Sequence, residues 1–202
     1  MATSGTTASL GLVLPTTPTK AGNTLLAIAT ITTLSTRLDN ITDDAGNLWT
    51  RAVDGPNAIG TAVSRFEIWY VLDARPITRA TATLPVEKAV SIDLMEWDGL
   101  VQSGTLLTNV GATTITTTIS TTIDTLVPAL VVGAAACGTS TQATLTMPEF
   151  TPSTFLTAAP ASSCNVAYAP RLAGTQEISW TLPIEAACSA GVVAIPLIDP
   201  PI

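Results

Sequence analysis

The chain reads as an all-β protein, an antiparallel β-sandwich of about ten to twelve strands with no significant helix. Three observations carry this. Threonine accounts for 36 of 202 residues, while Lys and Arg together number only 8. A β-branched residue loses rotamer freedom in a helix and suits the pleated surface of a strand. Apolar residues alternate or fall in short runs, and helical spacing is scarce. Finally, Gly, Pro, Asn and Asp recur at the intervals that short strands joined by turns require.

Residues 24–31 (TLLAIATI) are apolar on both faces, as befits a central strand whose outer face is covered by a loop or by a neighbouring subunit. Asp43-Asp44-Ala45-Gly46-Asn47 is a turn between Ile41 and Leu48-Trp49. Asp54-Gly55-Pro56-Asn57 reads as a second turn, after the next strand. Residues 62–72 alternate: Phe66, Ile68, Tyr70 and Leu72 share one face, and Arg65, Glu67 and Trp69 the other. Asp73-Ala74-Arg75-Pro76 closes that strand.

Residues 89–98 place Val90, Ile92 and Leu94 on the core side and Asp93, Met95 and Trp97 opposite, with Asp98-Gly99 as the following turn. Residues 105–125 are Thr-rich, with Ile115, Ile119 and Ile123 on one face, and are expected to form one or two strands. Residues 130–136 (LVVGAAA) and 191–197 (GVVAIPL) again have two apolar faces, the latter ending near Pro196. In 175–182, Ile178, Trp180 and Leu182 point together. Trp49 and Trp180 are expected in the core.

Asn23-Thr24-Leu25-Leu26-Ala27-Ile28-Ala29 is echoed by Asp124-Thr125-Leu126 followed by Leu130-Val131-Val132-Gly133-Ala134. Two related Greek-key halves in one jelly-roll-like sandwich would produce this echo. The expected organisation is an extended N-terminal arm with a short strand over 1–20, one sandwich domain over 21–197 and a tail over 198–202.

Composition limits the chemistry. There is no histidine, so histidine triads and histidine metal sites are excluded. The net charge of −7 gives no overall basic footprint for nucleic acid. No apolar run approaches the ~20 residues of a membrane helix. No positive segment precedes the short apolar stretch near Leu10, so no secretory signal peptide is expected. Cys137, Cys164 and Cys188 form no CxxC pair and are expected as buried thiols.

Asp39, Asp43, Asp44 and Asn47 could gather oxygen ligands for calcium, but an Asx-rich turn looks the same without metal. Asp93, Glu96 and Asp98 could be weighed as a hydrolytic acid pair, yet Asp98-Gly99 is a turn and no second acidic strand supports them. The expectation is no enzyme, no cofactor and no metal. Trp69 and Trp97 fall on the outward phase of their strands. They could form a flat platform for a protein interface or for sugar stacking, unless a loop covers them or the phase is off by one.

Gly22-Asn23-Thr24-Leu25-Leu26-Ala27-Ile28, Thr42-Asp43-Asp44-Ala45-Gly46-Asn47-Leu48-Trp49, Ile68-Trp69-Tyr70, Met95-Glu96-Trp97-Asp98-Gly99-Leu100 and Leu130-Val131-Val132-Gly133-Ala134-Ala135-Ala136 follow one another along the chain. The series resembles a jelly-roll-like module of tailed-bacteriophage virion proteins, found in minor tail and head-decoration proteins. The resemblance implies a structural or adhesive role in an oligomer and carries no catalytic residues. It implies a virion protein made in the host cytoplasm, with copies of itself and major capsid or tail proteins as partners. Similar modules attached to secreted enzymes imply the alternative of a carbohydrate-binding module for host adhesion.

Overall fold

The computed structural model describes residues 2–14, 17–33, 35–59, 62–101, 104, 106–111, 114–139, 141–159 and 162–198. Among these there is no helix, and all thirteen strands pair antiparallel. The first half of the chain supplies β1 (Ala2–Val13), β2 (Thr24–Ile31), β3 (Asn40–Asp43), β4 (Thr50–Ile59), β5 (Ala62–Val71) and β6 (Arg79–Trp97). The second supplies β7 (Leu107–Val110), β8 (Thr114–Thr125), β9 (Ala129–Cys137), β10 (Thr144–Leu145), β11 (Thr151–Ala159), β12 (Ser162–Arg171) and β13 (Gly174–Pro196).

Each half builds one sheet, and the two sheets have the same connectivity. The first runs β1-β6-β2-β5-β4, with β3 also on β6. The second runs β13-β9-β12-β11, with β7, β8 and β10 also on β13. The segment β7–β8 thus stands where β1 stands, and β9 to β13 repeat β2 to β6. Registers repeat as well. The β2–β6 ladder ends at Ile31 opposite Val90, and the β9–β13 ladder ends at Cys137 opposite Cys188. Aligning those ends makes Phe66 the counterpart of Cys164, Glu67 of Asn165 and Tyr70 of Tyr168. Thr50 opposite Tyr70 then matches Thr151 opposite Tyr168. Even the irregularities correspond: the ladders shift between Arg51 and Val53 in one half and between Pro152 and Phe155 in the other. The strand part of the sequence echo belongs to this repeat, with Thr24–Ile31 matching Leu130–Cys137, whereas Asp124-Thr125 lies in β8 and is not the counterpart of Asn23-Thr24.

The long strands β6 and β13 decide where the core lies. Each serves two neighbours in succession. Ala80 to Thr83 pair with β3, and Val90 to Trp97 pair with β2; β13 divides likewise between β10 and β9. The ladder to the edge strand shifts register between these parts, between Thr7 and Ser9 on β1 and between Thr181 and Ala186 on β13. Such bulges bend a strand and increase its twist. Each sheet consequently curls over itself.

Three apolar clusters result. Leu10, Leu12, Leu25, Ala27, Ile31, Ala82, Ile92 and Leu94 pack within the first half. Ile119, Ile123, Val131, Phe150, Ile178, Trp180 and Val192 pack within the second. Leu26, Ile28, Phe66 and Ile68 meet Leu130, Val132, Val166, Val193 and Ile195 between the sheets. Packing between the halves is reciprocal, with β4 against β13 and β11 against β6.

This geometry explains the doubly apolar strands: β2 and β9 are buried along their whole length. One face meets the other sheet and the second meets the curled end of its own. Neither a loop nor a neighbouring subunit is needed. Two further expectations are corrected. The N-terminal segment is no arm over Ala2–Val13, where it is an edge strand paired along β6 with Leu10 and Leu12 buried. Asp54-Gly55-Pro56-Asn57 is not a turn but lies inside β4. Gly55 is there because Phe66 on the adjacent strand occupies its side-chain space: a Cβ at Gly55 would sit 1.9 Å from the ring. The proposed tail from 198 lies outside the described residues beyond Ile198.

The phases of residues 62–72, 89–98 and 175–182 hold, as do the turns at Asp43–Asn47, Asp73–Pro76 and Asp98-Gly99. Asp73 and Gly99 adopt positive φ, 51° and 69°. Residues 107–110 and 114–125 form two strands, and β13 ends at Pro196. Trp49 and Trp180 are both in core clusters.

Candidate functional site

Trp69 and Trp97 do not share a platform. On β2, Trp69 lies opposite Ala27 and Trp97 opposite Thr24. Three residues separate those positions, and an odd spacing in a strand means opposite faces. Trp69 is 6% exposed and packs in the first-half core. Its Nε1–H donates to Glu67 Oε2 at 2.8 Å, and the Arg51 guanidinium lies 5.3 Å from its ring centroid. Trp97 is half-buried against the cluster between the sheets and meets Tyr168 edge-to-face, centroids 4.8 Å apart. The strand phase is right, but the phase opposite the expected core faces a second core, because the sheet curls.

Around Trp69 lies a charged network, buried at Glu67 and Arg65 and reaching the surface at Arg37, that the sequence pattern alone does not mark. Glu67 is fully buried. Its Oε1 accepts the Leu38 N–H at 3.2 Å, and Arg51 Nη1 reaches its Oε2 at 3.5 Å. Arg65 stands 3.7 Å away and pairs more closely with Asp54, at 2.6 Å; Arg37 reaches the other Asp54 oxygen at 3.0 Å. Burial pushes the Glu67 carboxyl above its ordinary value. The Trp69 hydrogen bond and the Arg51 charge pull the other way without prevailing. Every group here is engaged by another protein group, which is the pattern of a structural anchor.

Asp43, Asp44 and Glu96 are engaged too. Asp43 accepts from Ala45 N, Asn47 N, Asn47 Nδ2 and Trp49 Nε1, at 2.8 to 3.1 Å. These are donors on both oxygens, the arrangement of an Asx turn, and they occupy the lone pairs that a cation would need. Asp44 accepts from the Thr78 hydroxyl and backbone, which lowers its pKa. Glu96 Oε1 accepts Lys20 N at 2.6 Å and Asn23 Nδ2 at 2.8 Å. Asp93 is buried on the opposite face from Glu96 and Asp98. The structure therefore does not assemble Asp93, Glu96 and Asp98 into one pair.

Cys137 and Cys188 are joined in a disulfide, which corrects the expectation of three free thiols; Cys164 is free and buried. The pairing depends on the β9–β13 register, 51 residues apart in sequence, and no local motif announces it.

Two open grooves occupy equivalent places in the two halves. One of about 560 Å³ runs along β10, lined by Leu145, Met147, Phe150 and Pro152. The other, about 350 Å³, runs along β3, lined by Ile41, Asp43, Leu48 and Trp49.

A difference between the halves marks the surface. Ala129 lies between Arg171 on β12 and Pro196 on β13, so the turns beyond those three residues sit together at one end of the second sheet. They carry Leu126, 89% exposed, Val127, Leu172, 63% exposed, and Ile198. Leu197 N donates to Pro128 O and Ile198 N to Gly99 O, fixing the last of these in place. The corresponding end of the first sheet is polar, with Lys20, Asn23 and Asp73 and the Glu96 hydrogen bonds. A repeated fold that is apolar at one end and polar at its counterpart makes this rim the surface best suited to a partner. Compared with known proteins, the chain matches no family model, no curated protein and no solved structure.

Proposed function

We propose that the chain is a non-enzymatic structural protein of a tailed-bacteriophage virion, decorating or cementing the capsid or forming part of the tail. Its partners in this reading are copies of itself and major capsid or tail proteins. The observation that carries it is the rim of Leu126, Val127, Leu172 and Ile198, exposed on one half and polar on the other. The motif series from Gly22 to Ala136 supports the same reading through its resemblance to virion modules. The docking surface is then the rim, since the apolar second faces of β2 and β9 are consumed inside the chain. Apolar contact contributes roughly 25 cal/mol per Å² buried before ordering costs.

The test is binding of purified protein to phage particles stripped of it, with light scattering for self-association. Wild type is expected to bind or to associate, and Leu126→Asp with Leu172→Asp to do neither while keeping its far-UV spectrum. A wild type that stays monomeric and ignores the particles overturns the proposal. The glycan alternative gains nothing from Trp69 and Trp97, which lie on opposite faces of the sheet.

A further inference from the structure

The repeat places an apolar pair in one half where the other half has a disulfide. Ile31 and Val90 end the β2–β6 ladder, both fully buried; Cys137 and Cys188 end the β9–β13 ladder, also fully buried. We infer that Cys137–Cys188 is an oxidative lock added after folding: the chain folds with both thiols reduced and is stapled on meeting an oxidising environment.

Two features make the reduced state a folded one. The first half closes the same ladder position with no covalent bond, so the geometry does not depend on one. Both sulfurs also lie in the second-half cluster beside Ala135, Ala190 and Val192, where a reduced cysteine packs as a small apolar side chain. The pairing is also unambiguous. Cys164 lies opposite Ala136 on β12, next to the Cys137 position, but faces the cluster between the sheets, whereas Cys137 faces the other way. Burial pushes the Cys164 thiol up to about 12, which leaves little thiolate to attack the bond.

In the locking step two S–H bonds break and one S–S bond forms. The two protons and two electrons pass to an oxidising disulfide such as glutathione disulfide, which leaves as two thiols. The pair sits at the ladder end, where Gly138 N donates to Ala187 O, so fraying of that end suffices to admit the oxidant. The bond then closes a span of 51 residues, which restricts the unfolded chain.

The experiment uses the full chain made in a reducing cytoplasm. It is unfolded in denaturant, alkylated with a maleimide and weighed intact. All three cysteines are expected to be labelled before treatment with glutathione disulfide, and only one after it. Thermal melts of both forms are expected to be cooperative, with the oxidised form higher by about 10 °C. Cys164→Ala is expected to keep that shift. Cys137→Ala with Cys188→Ala is expected to melt like the reduced protein whether or not oxidant is added. A reduced protein without a cooperative melt, three labelled cysteines after oxidation, or equal melting of the two forms would each overturn the inference. If the double variant does not fold, label counts and wild-type melts still decide it.

Discussion

Glu67 on β5 and Asn165 on β12 perform the same task in the two halves of the chain. Glu67 Oε1 accepts the N–H of Leu38 at 3.2 Å, and Asn165 Oδ1 accepts the N–H of Ala143 at 3.1 Å. Both donors precede the short edge strand of their half, β3 or β10, and both acceptors are buried. A two- or four-residue strand supplies few ladder hydrogen bonds, so the chain leading into it needs a fixed point elsewhere. A polar side chain from the neighbouring layer provides it. The halves differ in charge: only Glu67 brings Arg51 and Arg65 to its side.

The charge on Glu67 has a consequence for stability. Its carboxyl holds its proton to higher pH in the folded chain than the ordinary value of 4.5. The folded state thus binds more protons than the unfolded state between those two values. The Glu67 contribution is full below 4.5 and is lost as pH rises through the folded value. In urea unfolding at a series of pH values, wild type minus Glu67→Gln is expected to show this fall. Gln keeps an acceptor for Leu38 N but offers none to Trp69 Nε1, so above the window it still costs about 1 to 3 kcal/mol. Glu67→Leu orphans both Leu38 N and Trp69 Nε1 and is expected to cost about 3 kcal/mol at low pH, with the same fall across the window. A difference that rises with pH would contradict the assignment.

Asn165→Ala makes the neutral comparison. It removes the acceptor of Ala143 N, but also Nδ2, a buried donor with no partner among the described residues. The two effects oppose, and the net loss is expected to be about 1 kcal/mol. The local effect is larger. Amide exchange at Ala143 is expected to quicken by about tenfold, while amides of β9 keep wild-type protection. Equal acceleration in both places would mean a global loss of stability instead.

The strands of this protein are legible from sequence because their physics is local. The alternation of Phe66, Ile68 and Tyr70 against Glu67 and Trp69 assigns two faces correctly. What alternation cannot say is what each face meets. It puts Trp69 at the surface because one buried face per strand is the ordinary antiparallel case. The bulges near Thr7 and Thr181 fold each sheet over itself and bury the second face as well. Gly55-Pro56 mimics a turn for a related reason, since the space above Gly55 is taken by a ring from another strand. The disulfide and the apolar rim depend on registers between segments far apart in sequence, as in Cys137 with Cys188 and Leu126 near Leu172. Pattern within a segment carries no information about them.

The Asp43 turn is legible in outline, and its geometry predicts how it fails. Asp43→Ala leaves Asn47 N, Ala45 N and the Trp49 indole without their acceptor, and Trp49 is a core residue. The expected cost is about 3 kcal/mol, with Asp43→Asn intermediate because it retains one acceptor oxygen. Calcium at millimolar concentration is expected to leave the wild-type melting temperature unchanged, since donors already fill both oxygens. A calcium-dependent rise of several degrees would show that the cluster binds metal.

Gly55 and Phe66 offer the sharpest packing test. They are directly paired on β4 and β5, and a Cβ at Gly55 would lie 1.9 Å from Phe66 Cε1. The same ring also occupies the side-chain space of Gly191 on β13, where an added Cβ would fall 2.9 Å from Phe66 Cζ. Gly55→Ala must therefore displace either a ring locked in the cluster between the sheets or the β4 backbone, and is expected to cost about 3 kcal/mol. Phe66→Leu leaves a partial cavity and costs about 1 to 2 kcal/mol alone. It also clears the space that the added methyl group needs. The double variant is accordingly expected to be more stable than Gly55→Ala by itself, a coupling that denaturant titration of the four proteins would measure. Simple additivity would show that Gly55 is required for its backbone rather than for the ring above it.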